Sequence, residues 1–349
     1  MLRDLRIKNY RCFEDFQIDG LERVNLFVGN NNSGKTSLLE AIYLLVKQNK
    51  FLALIDILLF RGEIIKIIYD TTHYRPNYFN LAHIESIKHI FHEHQMTPGN
   101  EIEVSSGNDI NANTQIFLAN NILTIKNQLG DQVNSIQDVF LNLNINNELD
   151  LGQNYFSSDK DRENRHIYIS AQKEELITLA ELWNKLYLTE KETKVVESLK
   201  ILEPKIERIG FIQENSYHTV RLKLSGFNEP IPLSSMGAGM YRILTLAIAL
   251  VTAENHVLLI DEIETGLHYE AQTDMWRLIL ATAKELNVQV FATTHSWDCI
   301  AAYQEALAEM EDQSIGKLFR LDSKYGKLRA VEYDAEDLDI AIRKGIEVR

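Results

Sequence analysis

The chain has almost no cysteine, two in 349 residues. Cys12 and Cys299 cannot build a disulfide framework, which excludes the small stapled secreted class and suits a reducing cytoplasm. Long apolar runs are missing too. The densest stretch, "ILTLAIALVTA" after Arg242, is too short to cross a bilayer and reads as a buried helix. The opening "MLRDLRIKNYRC" lacks the apolar core of a signal peptide. No internal repeat and no heptad run long enough for a coiled coil occurs. Positive charge is also short: 36 Lys+Arg stand against 50 Asp+Glu, a net −14. The deficit is uneven, with residues 1–50 at +2 and the remainder at −16. Coating duplex DNA over the whole surface needs cations facing phosphate, so it is excluded, whereas a local basic face on the N-terminal part is not. What remains is an expected cytoplasmic, soluble protein with no membrane partner. At 45% hydrophobic and 25% charged residues it can bury one large domain or two ordinary ones.

Residues 2–28 alternate apolar and polar, which predicts three short strands ending at Gly29. The spacing in "SLLEAIYLLVK" predicts a helix after Lys35. Residues 50–95 read as helical and loopy. Between 100 and 154 there are 13 asparagines among alternating runs such as "QIFLANNILTIK". A floppy polar insert and antiparallel strands with Asn-rich turns both accommodate them, and the period-two alternation favours strands. Residues 172–200 read as one or two amphipathic helices, and "HTVRLKLSG" as a strand. From Pro232 onward, apolar strands alternate with helices, as in a parallel sheet covered on both faces. "GKLFRLDSKYGKLRAVEY" reads as a hairpin.

"GNNNSGKT", Gly29 to Thr36, lies between that strand and that helix, the context a phosphate loop requires. Gly29 and Gly34 let the backbone N–H groups of Asn30, Asn31, Asn32 and Ser33 curl around phosphate oxygens, and the helix start adds its dipole. Lys35 can reach the terminal phosphates of ATP, and the Thr36 hydroxyl can ligate Mg²⁺. Ser37 completes the segment. In "HVLLIDEIETGLH", four apolar residues form a strand whose tip presents Asp261, a magnesium ligand, and Glu262, a base for an attacking water. "FATTHS" again ends an apolar strand in polar residues, and places His295 where it can contact the terminal phosphate or position the water. "PLSSMGAGM" sets Ser235 and Gly237 before an apolar helix, a second anion site that suggests a nucleotide shared between two subunits. A plain Ser-capped helix is the alternative.

Taken together these segments resemble an ABC-type ATPase of the RecF/SMC/OLD branch, within the AAA-labelled bacterial ATPases often found in phage defence. "LRIKNYRCFEDFQI" resembles the opening strands of that branch and "GNNNSGKTSLLEAI" its phosphate loop. "SSMGAGM" is similar to its signature motif, with Ser235 and Gly237 on the Ser and second Gly, and Ala238 where an acid or glutamine is common. "LLIDEIETGLH" resembles the Walker B strand and D-loop, and "ATTHS" the switch-histidine loop. The resemblance implies an α/β fold: a P-loop core with a mixed sheet (residues 1–49 and about 230–349), an antiparallel β-subdomain, and an inserted helical and β region over about 50–229. It also implies Arg11 as a nucleotide contact, Gln172 as the Q-loop glutamine, and head-to-tail dimers with each ATP between Lys35 of one subunit and Ser235 of the other. The expected function is Mg²⁺-dependent ATP hydrolysis that drives dimer closure and controls DNA engagement or a separate effector nuclease, in phage defence or DNA repair. A nucleotide-sensing scaffold that restrains a partner nuclease with slow hydrolysis, and an ABC transporter subunit, are the alternatives.

Two further clusters carry weaker chemistry. His83, His89, His92 and His94 offer a metal set that no cysteine or well-placed acid completes. Asp337 and Asp339 are similar to the acidic motif of TOPRIM nucleases, but with 54 residues after His295 they read better as acids at a helix start, so the expectation is a chain without a nuclease of its own.

Overall fold

The computed structural model describes residues 1–47, 50–69, 79–84, 87–95, 99–107, 112–119, 122–129, 141–142, 148–150, 167–171, 176–214, 217–324 and 327–349. The chain divides into two compact units, one comprising Met1–Leu21, Thr36–Asn164 and Ser323–Ala330, the other Glu22–Lys35, Arg165–Asp322 and Val331–Arg349. Both are woven from segments distant in sequence.

In the first unit, β1 (Asp4–Tyr10) and β2 (Phe13–Asp19) form an antiparallel hairpin whose alternate residues Leu5 and Ile7, and Phe16 and Ile18, are buried, with Tyr10 and Phe13 buried beside the turn. That is the one-faced burial expected from period-two alternation. α1 (Lys35–Val46) starts at the junction of the units, and α2 (Lys50–Phe60) follows. β4 (Ile64–Tyr69) and β5 (Phe79–Ile84) then pair antiparallel. The helical and loopy reading of 50–95 holds for Lys50–Phe60 and is corrected at β4 and β5: "IIKIIY" is rich in β-branched isoleucine, whose stiff χ1 suits an extended chain better than a helix. β6 (Glu101–Ser106), β7 (Ala112–Ala119), β8 (Ile122–Leu129) and β9 (Leu141–Asn142) extend the β1–β2 hairpin into a sheet ordered β2-β1-β6-β7-β8-β9. β10 (Glu148–Asp150) joins β5. The asparagine-bearing alternating segment thus contains antiparallel strands wherever it is described.

The second unit is built on a sheet ordered β11-β15-β16-β3-β17-β18, from β11 (Ile167–Ile169), β15 (Val257–Ile260), β16 (Gln289–Thr293), β3 (Val24–Val28), β17 (Gly316–Lys324) and β18 (Lys327–Tyr333). The first five run parallel. β3, β15 and β16 are buried at every residue, as strands covered on both faces must be. α3 (Leu176–Leu186), α4 (Glu190–Leu199), α5 (Ala238–Thr252), α6 (Gln272–Glu285), α7 (Trp297–Ala308) and α8 (Ala335–Arg343) complete this unit with the antiparallel set β12 (Ile206–Glu214), β13 (Tyr217–Leu224) and β14 (Ile231–Pro232). One apolar core unites the sheet with these helices. Trp276 of α6 lies at its centre, edge-on to Tyr303 of α7, with its indole N–H donating to the Cys299 carbonyl. Asp334 caps α8 by accepting from the Asp337 N–H, and Asp339 accepts from Gln304 and pairs with Arg343, so both acids of the C-terminal motif lie on one capped helix.

Candidate active site

Three neighbouring parallel strands decide where the site lies. Ile260 pairs with Ala292, and Ala292 with Leu26. Because β15, β16 and β3 run parallel, the residues that follow them leave from one edge of the sheet, and these are Asp261, Thr294 with His295, and Gly29. Ligands of parallel α/β sheets gather at that carboxyl edge.

The loop after β3 can take only glycine at its first position. Gly29 has φ +149°, and a Cβ there would sit 2.7 Å from both the Leu321 carbonyl oxygen and Ser33 Oγ. Gly34 also has positive φ, at 91°. The loop turns through the Ser33 N–H, which donates to the Asn30 carbonyl at 3.2 Å, and Asn30, Asn31 and Asn32 face solvent. Lys35 curls back over the loop, donating from Nζ to the carbonyls of Gly29 at 2.7 Å and Asn30 at 2.9 Å. Burial lowers the Lys35 pKa, while the charges of Asp261, Glu262 and Glu264 oppose that shift. The lysine and the acids of the β15 tip therefore share one field.

At that tip, Thr293 does double service. Its hydroxyl donates to Asp261 Oδ1 at 2.6 Å and accepts from the Glu262 N–H at 2.9 Å. Glu262 holds φ 45°, a left-handed conformation that costs a non-glycine residue roughly 1 kcal/mol. Arg242, buried on α5, reaches the carbonyls of Asp261 and Glu262 at 3.4 and 3.3 Å, and so brackets the strained residue from the other side. The Glu262 carboxylate makes no hydrogen bond or ion pair with the described residues. His295 is 55% exposed, and its Nδ1 lies 3.3 Å from Glu264 Oε1.

α5 opens at Gly237, with φ 90° and no side-chain cap. Ser235 and Gly237 are exposed there, and the N-cap position, a glycine, supplies no side-chain cap. Gly239 packs within 3.3 Å, measured from a would-be Cβ, of Leu267 in the loop after Glu262.

The other expected site residues have the following partners. Gln172 falls outside the described residues. In the first unit, the Arg11 guanidinium is held by Glu63 at 2.8 and 3.1 Å and by Glu40 at 2.8 Å. Burial opposes its charge, but Tyr10, Glu40 and Glu63 outweigh that and raise its pKa. Ser37 accepts from Arg61, which also pairs with Glu40. His89 packs against His94, and His92 meets the Arg11 carbonyl. Sequence reasoning missed Thr293, Arg242 and Glu264. A threonine two residues before the switch histidine, a lone basic residue entering the apolar run of α5, and a third acid in "DEIE" were the available signals.

The sequence profile of the AAA ATPase domain matches residues 1–215 and 61–300 in two overlapping segments. The chain belongs to the AAA ATPase domain family. It is an ATP-hydrolysing enzyme of that family. The ATP/GTP phosphatase of Helicobacter pylori is 25% identical over 365 residues, spanning 93% of this chain and 94% of that protein. The DNA replication and repair protein RecF of an Exiguobacterium species is 46% identical over 44 residues, 13% of this chain and 12% of RecF. Among solved structures, an SMC head bound to the C-winged helix domain of ScpA superposes with TM-score 0.55 at 13% identity, covering 98% of this chain and 99% of that one. An SMC head with an extended coiled coil, bound to the C-terminal domain of ScpA derived from Pyrococcus furiosus, gives 0.54 at 12% identity, covering 99% of each chain. These likenesses show the ABC-type P-loop ATPase fold.

The residues of this AAA ATPase fit a magnesium nucleotide. The Gly29 cradle leaves no space for a Cβ, Ser33 Oγ in the phosphate loop is buried without a hydrogen-bond partner among the described residues, and Asp261 offers the hard oxygen donor that Mg²⁺ takes. No helix among the described residues is long and apolar enough to cross a membrane.

Proposed function

We propose that ATP is hydrolysed at the carboxyl edge of β3, β15 and β16, and that its binding closes a head-to-tail homodimer. The observation that carries the catalytic reading is that the loops after β3 and β15, which flank β16 in one parallel sheet, place Lys35 in the field of Asp261 and Glu262. Lys35 would leave its two carbonyl partners for the terminal phosphates, a trade of neutral for charge-assisted hydrogen bonds. Asp261 and Thr36, the residue directly after Lys35, would hold Mg²⁺, which when bound neutralises charge on the phosphate oxygens. Glu262, its carboxylate uncommitted to donors among the described residues, would accept the proton of the attacking water, and His295 would contact the terminal phosphate.

The exposed, side-chain-uncapped start of α5 supports the dimer. Ser235 and the N–H groups after Gly237 offer an anion site to the nucleotide of a second subunit, and Arg242 links that helix to the backbone of Asp261 and Glu262. Closure would exist only with the triphosphate in place, which makes ATP a switch. The SMC-like fold and the RecF-like segment favour an output on DNA or on a separate effector nuclease, in phage defence or repair within the cytoplasm. Sizing of the Glu262→Gln protein tests the reading: a shift from monomer to dimer with Mg²⁺ and ATP is expected, and a monomer at saturating nucleotide would refute closure.

A further inference from the structure

Glu264 stands two residues beyond the assigned base, yet its surroundings are different. Its side chain is 10% exposed. Oε1 lies 3.3 Å from His295 Nδ1 and also accepts from the His295 backbone N–H at 3.3 Å. Oε2 is buried and has no hydrogen-bond partner among the described residues. A carboxylate so short of donors is a strong acceptor for any N–H it can reach, because a buried charged group left unsatisfied is costly. Its charge is felt on both sides. It opposes the burial-driven lowering of Lys35, and after burial it is the largest contribution to the Cys299 thiol being pushed up to about 12. His295 is the reverse case, an exposed imidazole free to sample rotamers unless something holds it. The backbone of that loop is gripped from another direction, with Arg349 Nη1 donating to the His295 carbonyl at 3.2 Å.

We propose that Glu264 is a positioning residue for hydrolysis: its carboxylate takes the Nδ1–H of His295, fixing tautomer and ring so that Nε2 is the nitrogen offered to the substrate. The hydrogen bond at one ring nitrogen decides what the other can do. Acidic partners that orient metal-ligating histidines typically contribute tenfold to a hundredfold, and the same scale is expected for a histidine oriented toward phosphate. The two acids of "DEIE" are then divided by environment, Glu262 uncommitted for water and Glu264 committed to the imidazole. The proposal rests on the assignment of His295 to the reaction.

The test uses the full-length protein and its Glu264→Gln, His295→Gln and doubly substituted variants. Nitrogen-15 imidazole spectra at about pH 8.5, above the usual histidine range, with His295 assigned by its loss in His295→Gln, should show a proton on Nδ1 in the parent and loss of that bias in Glu264→Gln. Glu264→Gln should lower kcat about ten- to a hundredfold, with KM for ATP within about twofold, and should cost nothing further in the His295→Gln background. An unchanged tautomer in Glu264→Gln, or an equal loss of kcat in both backgrounds, would overturn the proposal. A His295→Gln enzyme as fast as the parent would overturn it through the reading it rests on, and the spectra separate that failure from a failure of the Glu264 contact.

Discussion

Thr293 and Asp261, 32 residues apart, are joined by a 2.6 Å hydrogen bond from the threonine hydroxyl to the carboxylate. The same oxygen accepts from the Glu262 N–H, so one side chain at the end of β16 orients two consecutive acids at the end of β15. Asp261 is thereby aimed, and Glu262 is kept in its left-handed conformation.

Thr293→Val removes both bonds while preserving shape. The buried Asp261 loses a donor and the Glu262 N–H an acceptor, so folding stability should fall by about 1–3 kcal/mol, and ATP turnover should fall with it. Thr293→Ser should recover most of both. Thermal unfolding and steady-state ATPase assays on the two variants check this.

Lys35→Ala removes the side chain that carries positive charge over the phosphate loop. Its hydrogen bonds to carbonyls are local, so the fold should survive. Loss of charged hydrogen bonds of about 1.5–3 kcal/mol each should weaken ATP binding at least tenfold. Calorimetric titration with ATP and Mg²⁺, beside a circular dichroism spectrum, measures the two effects apart.

Glu262→Gln keeps the length of the side chain and its backbone contacts to Thr293 and Arg242, but cannot accept a proton. Hydrolysis should drop about a hundredfold or more, with ATP affinity within a few-fold of the parent. Single-turnover kinetics decide it, and wild-type turnover would remove Glu262 from the role of base.

Ser235→Arg places a bulky side chain at the open start of α5. Nucleotide binding by one subunit should be unchanged, while ATP-dependent dimers should no longer form. Sedimentation of Glu262→Gln with and without the second substitution reports this.

Much of the site was legible because its parts are local. Strand, glycine loop and helix succeed one another within Val24–Val46, and the φ +149° of Gly29 accounts for the glycine that opens the motif. Likewise the four buried residues Val257–Ile260 announce a strand whose next residues must emerge at its tip. The strands β4 and β5 were not legible, since "IIKIIY" carries no alternation and a short apolar run looks alike in helix and sheet. Thr293, Arg242 and Glu264 were hidden for another reason. Their partners lie 32, 19 and 31 residues away, separations at which no periodicity in the sequence reports a contact.

The sequence by itself determined the phosphate loop, the acidic strand tip and the apolar strands that carry them, because backbone freedom, hydrophobic period and charge act within a few residues. The tertiary structure alone decided that β15, β16 and β3 lie side by side and parallel, that Met1–Leu21 and Glu22–Lys35 belong to different compact units, and which acid meets His295. Those are outcomes of strand order and long-range packing, where the free energy depends on which distant surfaces are buried together.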